Sequence, residues 1–218
     1  MDGQFDRLIV GAGSAGSALA FRLAQAGQRV AMLEAGGHDR QLFVQMPLGY
    51  GKLFFDPAVN WCYRTEPDPG LDGQADYWPR GRILGGSSAI NAMVWCRGHR
   101  ADYDEWRAAG NPGWGWDEAL EGYRQIEDAE TPGPHRGQGG PLRLRAGRAE
   151  HGLVAPFLAA CAGAGLPLAA DLNTPEPEGI GTFELTIHQG RRMSAARAFL
   201  RPAQATGRVA LRTGAQVL

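Results

Sequence analysis

The chain has 218 residues and a mass of 23.4 kDa, enough for an ordinary domain with a substantial core. Twenty-two Lys and Arg stand against 23 Asp and Glu, so the formal net charge is −1 and the pI is near 6.5. That balance excludes a global attraction to nucleic acid or to an anionic membrane surface.

The start, Met1-Asp2-Gly3-Gln4, has no basic segment and no apolar signal core, which argues against secretion. Cys62, Cys96 and Cys161 are scattered, without metal-ligand spacing or neighbouring histidines. They read as reduced, mostly buried thiols of a cytoplasmic protein, and no metal site is expected.

The first element is a strand, Leu8-Ile9-Val10, that runs into Gly11-Ala12-Gly13-Ser14-Ala15-Gly16. In this pattern Gly11 permits the tight turn out of the strand. Gly13 lets a pyrophosphate approach the backbone, and Gly16 lets the following helix pack on the sheet. The helix is predicted from about Ser14 to Ala26, with Leu19, Ala20 and Leu23 at core spacing and Gly27 as its stop. Its free N-terminal N–H groups and positive dipole end suit phosphate. A second strand, Arg29-Val30-Ala31-Met32-Leu33, ends in Glu34. An acid at that place accepts hydrogen bonds from a ribose diol and repels a 2′-phosphate, so NADP is disfavoured and FAD and NAD stay open. A glycine turn alone is a weak signal; here strand, helix, strand and acid fall in order within one βαβ unit.

From Gly36 to about Arg80 the alternation of a simple Rossmann domain is interrupted. Pro47, Pro57, Pro67, Pro69 and Pro79 and the aromatics Tyr50, Phe54, Phe55, Trp61 and Tyr63 predict a long excursion ordered by aromatic burial. A second glycine turn follows in Arg80-Gly81-Arg82-Ile83-Leu84-Gly85-Gly86-Ser87-Ser88-Ala89-Ile90-Asn91-Ala92-Met93-Val94. Its bare backbone N–H groups and serine hydroxyls suit a phosphate, and the small or apolar residues after them suit a planar ring. The plainer alternative is that Ser87 caps a helix.

Beyond it, Asp117 to Glu127 reads as an amphipathic helix with Leu120, Tyr123 and Ile126 on one face. Thr131 to Gly140 reads as a surface loop, and His135, His151 and His188 as solvent or packing residues. Leu153 to Ala170 is nearly all apolar, but Pro156, Gly163, Gly165 and Pro167 make it a poor membrane span. It predicts a buried helix from Pro156 to Ala162. Gly190-Arg191-Arg192-Met193-Ser194 is expected to be a solvated basic turn, with contact of the arginine pair to a cofactor phosphate as the alternative, before a short helix that Ser194 caps and Pro202 ends. Arg208 to Arg212 and Ala215 to Leu218 alternate as two strands about Gly214.

Several of these segments together resemble the glucose-methanol-choline (GMC) family of FAD-dependent alcohol oxidoreductases, in particular its choline dehydrogenase-like branch. They are the Gly11 to Gly16 turn with Glu34, the Arg80 to Asn91 segment, and Arg97-Gly98-His99-Arg100-Ala101-Asp102-Tyr103-Asp104-Glu105-Trp106. Asn60 to Pro67, Gly113 to Trp116, Gly139 to Leu142, Asp171 to Asn173 and Arg192 to Ala196 match as well.

The resemblance implies a Rossmann-like α/β FAD-binding fold with long insertions after the first βαβ unit. It implies that Gly11, Ala12, Gly13, Ser14, Ala15 and Gly16 hold the FAD diphosphate and Glu34 the adenosine ribose. Ile83, Leu84, Gly85, Gly86, Ser87 and Ser88 would run along the diphosphate and ribityl chain. Asn91, Ala92, Met93 and Val94 would lie beside the flavin ring, and Val217 against the adenine. Some members attach FAD through a histidine in this signature; Ile90 stands at that place, so FAD is expected to be non-covalent.

The implied layout is a first βαβ unit over 1–36 and an insertion with the signature over 37–110. A helical and loop part over 111–190 then leads back to the FAD-binding domain over 191–218. The family's catalytic histidine pair lies downstream of the equivalent of Leu218, so no residue here is assigned as a catalytic base. The expectation is therefore the N-terminal FAD-binding part of an enzyme that oxidises an alcohol, inactive by itself. A short FAD-binding protein without turnover, or one half of a split enzyme, is the alternative. Which alcohol is used, and in what oligomeric state, is not legible.

Overall fold

The computed structural model describes residues 3–148 and 151–218; Met1 and Asp2 of the expected leaderless start lie outside them. The chain folds as two units, one of residues up to Met93 with Gln189–Leu218, the other of Val94–His188.

The first unit is built on β1 (Arg7–Val10), α1 (Ser14–Gln25), β2 (Val30–Leu33) and β3 (Val209–Arg212). The three strands are parallel in the order β1-β2-β3, with Ile9 and Leu211 flanking Met32 in register. β2 is central, and its Val30 and Met32 are fully buried. Each such side chain contributes about 1.5 to 3 kcal/mol by leaving water. α1 covers this sheet with Ser17, Ala20 and Ala24, small residues at helical spacing that let its backbone lie close. Leu19, expected in the core, is exposed, while Leu23 packs at the core margin. The helix stops at Gly27, whose φ of +82° suits only glycine well. Among the described residues β1 pairs on one side only, and its Leu8 and Val10 are exposed.

A second cluster, Val44, Leu53, Val59, Ile83, Ala89 and Ile90, orders the excursion after β2. Aromatic burial was expected to do this, yet Phe55, Tyr63 and Trp78 are exposed, and the rings stack as Phe55–Tyr77 and Trp61–Tyr63. The polar hub of the excursion is Asn60, which is buried. Its Nδ2 donates to the Phe54 carbonyl at 2.6 Å, and its Oδ1 accepts from Cys62 N–H at 3.0 Å and Arg80 N–H at 2.8 Å.

Near the C-terminus a π-helical segment, Ala196–Leu200, runs into the helical turn Arg201–Ala205. Pro202 does not end this helix. It stands where the π-helical segment passes into the α-helical turn, and the chain stays helical through it. Ser194 does accept from Arg197 N–H, at 3.4 Å. The expected strand over Ala215–Leu218 is not formed. The chain instead follows the end of β2, with Gly214 and Ala215 N–H donating to the carbonyls of Gly36 and Glu34.

In the second unit, α2 (Arg100–Ala108) is opened by a capping box in which His99 Nδ1 accepts from Ala101 N–H and Asp102 accepts from His99 N–H. α3 (Trp116–Ile126) carries Leu120, Tyr123 and Ile126 on its half-buried face. Strands Glu127–Ala129 and Leu142–Leu144 pair in parallel.

A buried charge network holds this unit together. Arg97 donates through Nε and Nη2 to Glu127, at 3.0 and 2.5 Å, and through Nη1 to the His135 and Asn173 carbonyls. Arg136 pairs with Glu127, Asp171 and Glu184. Burial holds Glu184 above the usual carboxylate range in spite of Arg136.

The predicted apolar helix is α4 (Val154–Gly163), but none of its residues is buried, and Phe157 is 59% exposed. Alanine-rich helices carry little area to drive burial. The cysteines are free but not buried, and Cys96 is exposed. Among the described residues no helix is long and apolar enough to cross a membrane.

Candidate functional site

Three backbone segments of the first unit interlock around the end of the sheet. The first is the turn from Gly11, whose N–H donates to the Leu33 carbonyl at 2.7 Å and whose φ is +93°. A Cβ on Gly16 would collide with the Gly11 carbonyl and stand 3.2 Å from Ile9 Cγ2. Gly16 therefore sets the close approach of helix to strand, as the sequence predicts.

The second segment is Glu34–Gly37. Glu34 is 6% exposed; its Oε2 accepts from Ala12 N–H and its Oε1 from Gly36 N–H, both at 2.8 Å. The carboxylate thus joins the first glycine turn to the end of β2. Each oxygen keeps a second lone pair. Gly36 packs on the Arg82 carbonyl so closely that no side chain fits.

The third segment is the second glycine turn. Leu84 N–H donates to the Gly37 carbonyl at 3.0 Å, and Gly85 N–H donates to the Ala12 carbonyl at 2.8 Å. Gly85 and Gly86 have φ of +90° and +55°, and a Cβ on Gly86 would lie 2.8 Å from Gly13 Cα. The two glycine turns are in direct backbone contact at that point. Ile83 and Leu84 are buried behind them. Ser88 Oγ donates to the Gly85 carbonyl at 2.6 Å and accepts from Ala195 N–H at 2.9 Å, so its hydroxyl is engaged within the protein. Ser87 caps no helix. Its exposed hydroxyl accepts from Gly81 N–H at 3.1 Å and retains its own proton to donate.

This arrangement leaves the features an anionic dinucleotide needs. Gly13 precedes α1 without a side-chain cap, so the first-turn N–H groups of Ser14, Ala15 and Gly16 lack an intrahelical acceptor. In front of Gly13 a Cβ would meet only Gly86 Cα, at 3.9 Å; the glycine is not required by protein packing. Ser14 and Ala15 are exposed beside it. Asn91 and Ala92 are also exposed, while Met93 is buried in a left-handed conformation with φ of +62°. Val94 is exposed and opens the second unit. Val217 is half exposed, two residues beyond the Ala215–Glu34 hydrogen bond. Ile90 is buried in the aliphatic cluster and offers no group for covalent attachment.

The sequence placed Arg192 on the surface. Read as part of a solvated turn, it is 2% exposed. Its Nε donates to the Val44 carbonyl at 3.0 Å, and its Nη1 to the Ser88 carbonyl and to both oxygens of Asn91. Burial pushes its pKa down to about 10, which leaves it charged at neutral pH. Gly36 and Asn60 were also given no role; the signal for Gly36 was its place just after Glu34, and for Asn60 that it opens the Asn60 to Pro67 match. His99 is a helix cap, and the described residues contain no cluster of His, Cys, Asp and Glu arranged to hold a metal ion.

Comparison with known proteins agrees with this geometry. The family description "GMC oxidoreductase", for the N-terminal domain, matches residues 5–218. Human mitochondrial choline dehydrogenase is 44% identical over 209 residues, which cover 92% of this chain and 35% of the relative. The oxygen-dependent choline dehydrogenase of Sinorhizobium medicae is 42% identical, covering 92% of this chain and 37% of the relative. Among solved structures, pyridoxine 4-oxidase from Mesorbium loti superposes with a TM-score of 0.90 at 38% identity, covering 97% of this chain and 42% of that one. The chain therefore spans about two-fifths or less of the length of these relatives. It belongs to the GMC oxidoreductases and comprises their N-terminal, FAD-binding region with its Rossmann-like α/β fold.

Proposed function

We propose that this chain supplies the FAD cradle of an enzyme that oxidises a primary or secondary alcohol. The observation that carries the proposal is the contact of the two glycine turns at Gly13 and Gly86, with the uncapped start of α1 and open space before Gly13. Gly11–Gly16 and the Ser87 hydroxyl would take the diphosphate, Glu34 the ribose through its remaining lone pairs, and Val217 the adenine; the Gly85 and Gly86 N–H groups, expected to be bare, are instead spent on the Ala12 and Ile83 carbonyls, so these two glycines would only pack beside it. Asn91–Val94 would line the ring. With Ile90 in the place of a linking histidine, the cofactor is held non-covalently.

When bound, FAD supplies a hydride acceptor at flavin N5, and the protein's part is to bind and orient it. Glu34 fixes the first turn against the sheet, Ser88 fixes the second against Ala195 N–H, and Ile83 and Leu84 close the floor. The alcohol must be deprotonated as its hydride leaves, and no residue of this chain is assigned to that step. Orientation and proton transfer fail together without it, so the chain by itself binds FAD and does not turn over. A cytoplasmic setting rests on the sequence alone.

The second reading, a partner-dependent half enzyme, is favoured by the uncovered face of β1, on which Leu8 and Val10 are exposed. One experiment tests whether this chain carries a catalytic base. The FAD-loaded chain is mixed anaerobically with choline and with simple primary alcohols, and flavin absorbance is followed. Persistent oxidised absorbance is expected. Bleaching by an alcohol would overturn the assignment of no catalytic base.

A further inference from the structure

Arg192 is a buried cation without a counterion among the described residues. Its acceptors are the carbonyls of Val44, Ser88 and Asn91 and the Asn91 side-chain oxygen, and no carboxylate pairs with it among the described residues. Its Nη2 is buried with no hydrogen-bond partner among them. An uncompensated buried charge is costly and needs a reason.

The contacts of Asn91 supply one. Asn91 Oδ1 accepts from Arg192 Nη1 at 2.8 Å and from Met93 N–H at 3.1 Å. That single atom ties the guanidinium to the left-handed Met93, a conformation that a long L side chain adopts only when its surroundings impose it. The same Nη1 lies 2.7 Å from the Asn91 carbonyl and 3.2 Å from that of Ser88. Arg192 therefore grips both ends of the turn, and Val44 anchors it from behind.

We propose that Arg192 is a positioning residue for the flavin: it holds the Ser88–Met93 turn in its strained form and gives that side of the cradle its positive charge. The proposal rests on the reading that Asn91–Met93 lines the flavin ring. A site with this charge favours the more negative state of its ligand, so it binds reduced FAD more tightly, relative to oxidised FAD, than a neutral site does.

The test compares FAD-loaded wild-type protein with Arg192→Met, Arg192→Lys and Asn91→Asp. It reads thermal unfolding, visible circular dichroism of the flavin and the midpoint potential. Arg192→Met is expected to change the dichroism and to lower the ratio of affinities for reduced and oxidised FAD about tenfold, roughly 30 mV in a two-electron potential. Arg192→Lys should restore the potential but not the dichroism, because an ammonium keeps the charge and loses the planar fork. Asn91→Asp keeps the acceptor geometry and cancels the charge, so it should lower the potential even if Arg192→Met does not fold. A folded Arg192→Met with wild-type dichroism and potential, or Asn91→Asp with unchanged potential, overturns the inference alone. Wild-type protein that takes up no FAD defeats the functional reading, and this inference with it.

Discussion

Replacing Glu34 by alanine removes two hydrogen bonds at once. Both carboxylate oxygens accept buried backbone N–H groups at 2.8 Å, one from Ala12 in the first glycine turn and one from Gly36 after β2. A hydrogen bond to a charged group contributes about 1.5 to 3 kcal/mol, so the pair is worth about 3 to 6 kcal/mol. That is a large part of the 5 to 15 kcal/mol that typically separates folded from unfolded chains. The loss must show without FAD, because both bonds lie within the protein. Urea unfolding followed by far-ultraviolet circular dichroism should move to a lower midpoint with an unchanged slope. FAD should bind more weakly still, by about 1.5 to 3 kcal/mol if the ribose also donates to this carboxylate. Glu34→Gln keeps the shape but sets an amide N–H against one backbone donor, so it should fall between alanine and wild type. If Glu34→Ala unfolds within about 0.5 kcal/mol of wild type, the range of an innocuous surface change, the carboxylate does not join the two turns and the reasoning fails.

Further predictions follow from the same geometry. Gly16→Ala drives a methyl group into the Gly11 carbonyl and should cost at least about 1 to 3 kcal/mol in apo-protein stability; an unchanged urea midpoint would contradict the packing. Gly86→Ala combines a left-handed φ with a 2.8 Å contact to Gly13 Cα, so it should reduce both stability and FAD retention. Glu184 holds its proton more tightly when folded, so stability rises as pH falls from above its raised pKa towards the ordinary carboxylate value. Wild type should accordingly gain stability relative to Glu184→Gln over that fall in pH, as measured by urea unfolding at several pH values. The opposite sign would mean that Arg136 outweighs burial.

The parts of the fold that local chemistry dictates were legible. The Leu8–Val10 strand, Gly27 as helix stop and the tight fit of Gly16 follow from residue type and spacing, and each stands where expected. What periodicity could not show was the depth of burial. Leu19 sits at helical spacing from the core yet is exposed, because the small Ala20 and Ala24 meet the sheet instead. The apolar run around α4 was expected inside and lies outside, and the aromatics after Gly36 stack on the surface while aliphatics fill the cluster.

Long-range polar contacts were the least legible. Arg192 reaches Asn91 across 101 positions, and Arg97 reaches Asn173 across 76. Nothing local separates either arginine from a solvated one. Around Glu34 the acid was recognised for a ligand, but the two backbone donors that it also binds became visible only in three dimensions.

The central claim is that the space before Gly13 is reserved for the FAD diphosphate. It is tested most directly by titrating FAD into the apo-protein and into Gly13→Val, with flavin fluorescence as the readout and urea unfolding as the control for folding. A Cβ at Gly13 meets only Gly86 Cα, at 3.9 Å, so the variant should fold while its saturable one-to-one FAD binding disappears. A wild type that fails to bind FAD, or a folded Gly13→Val that binds it equally well, would contradict the claim.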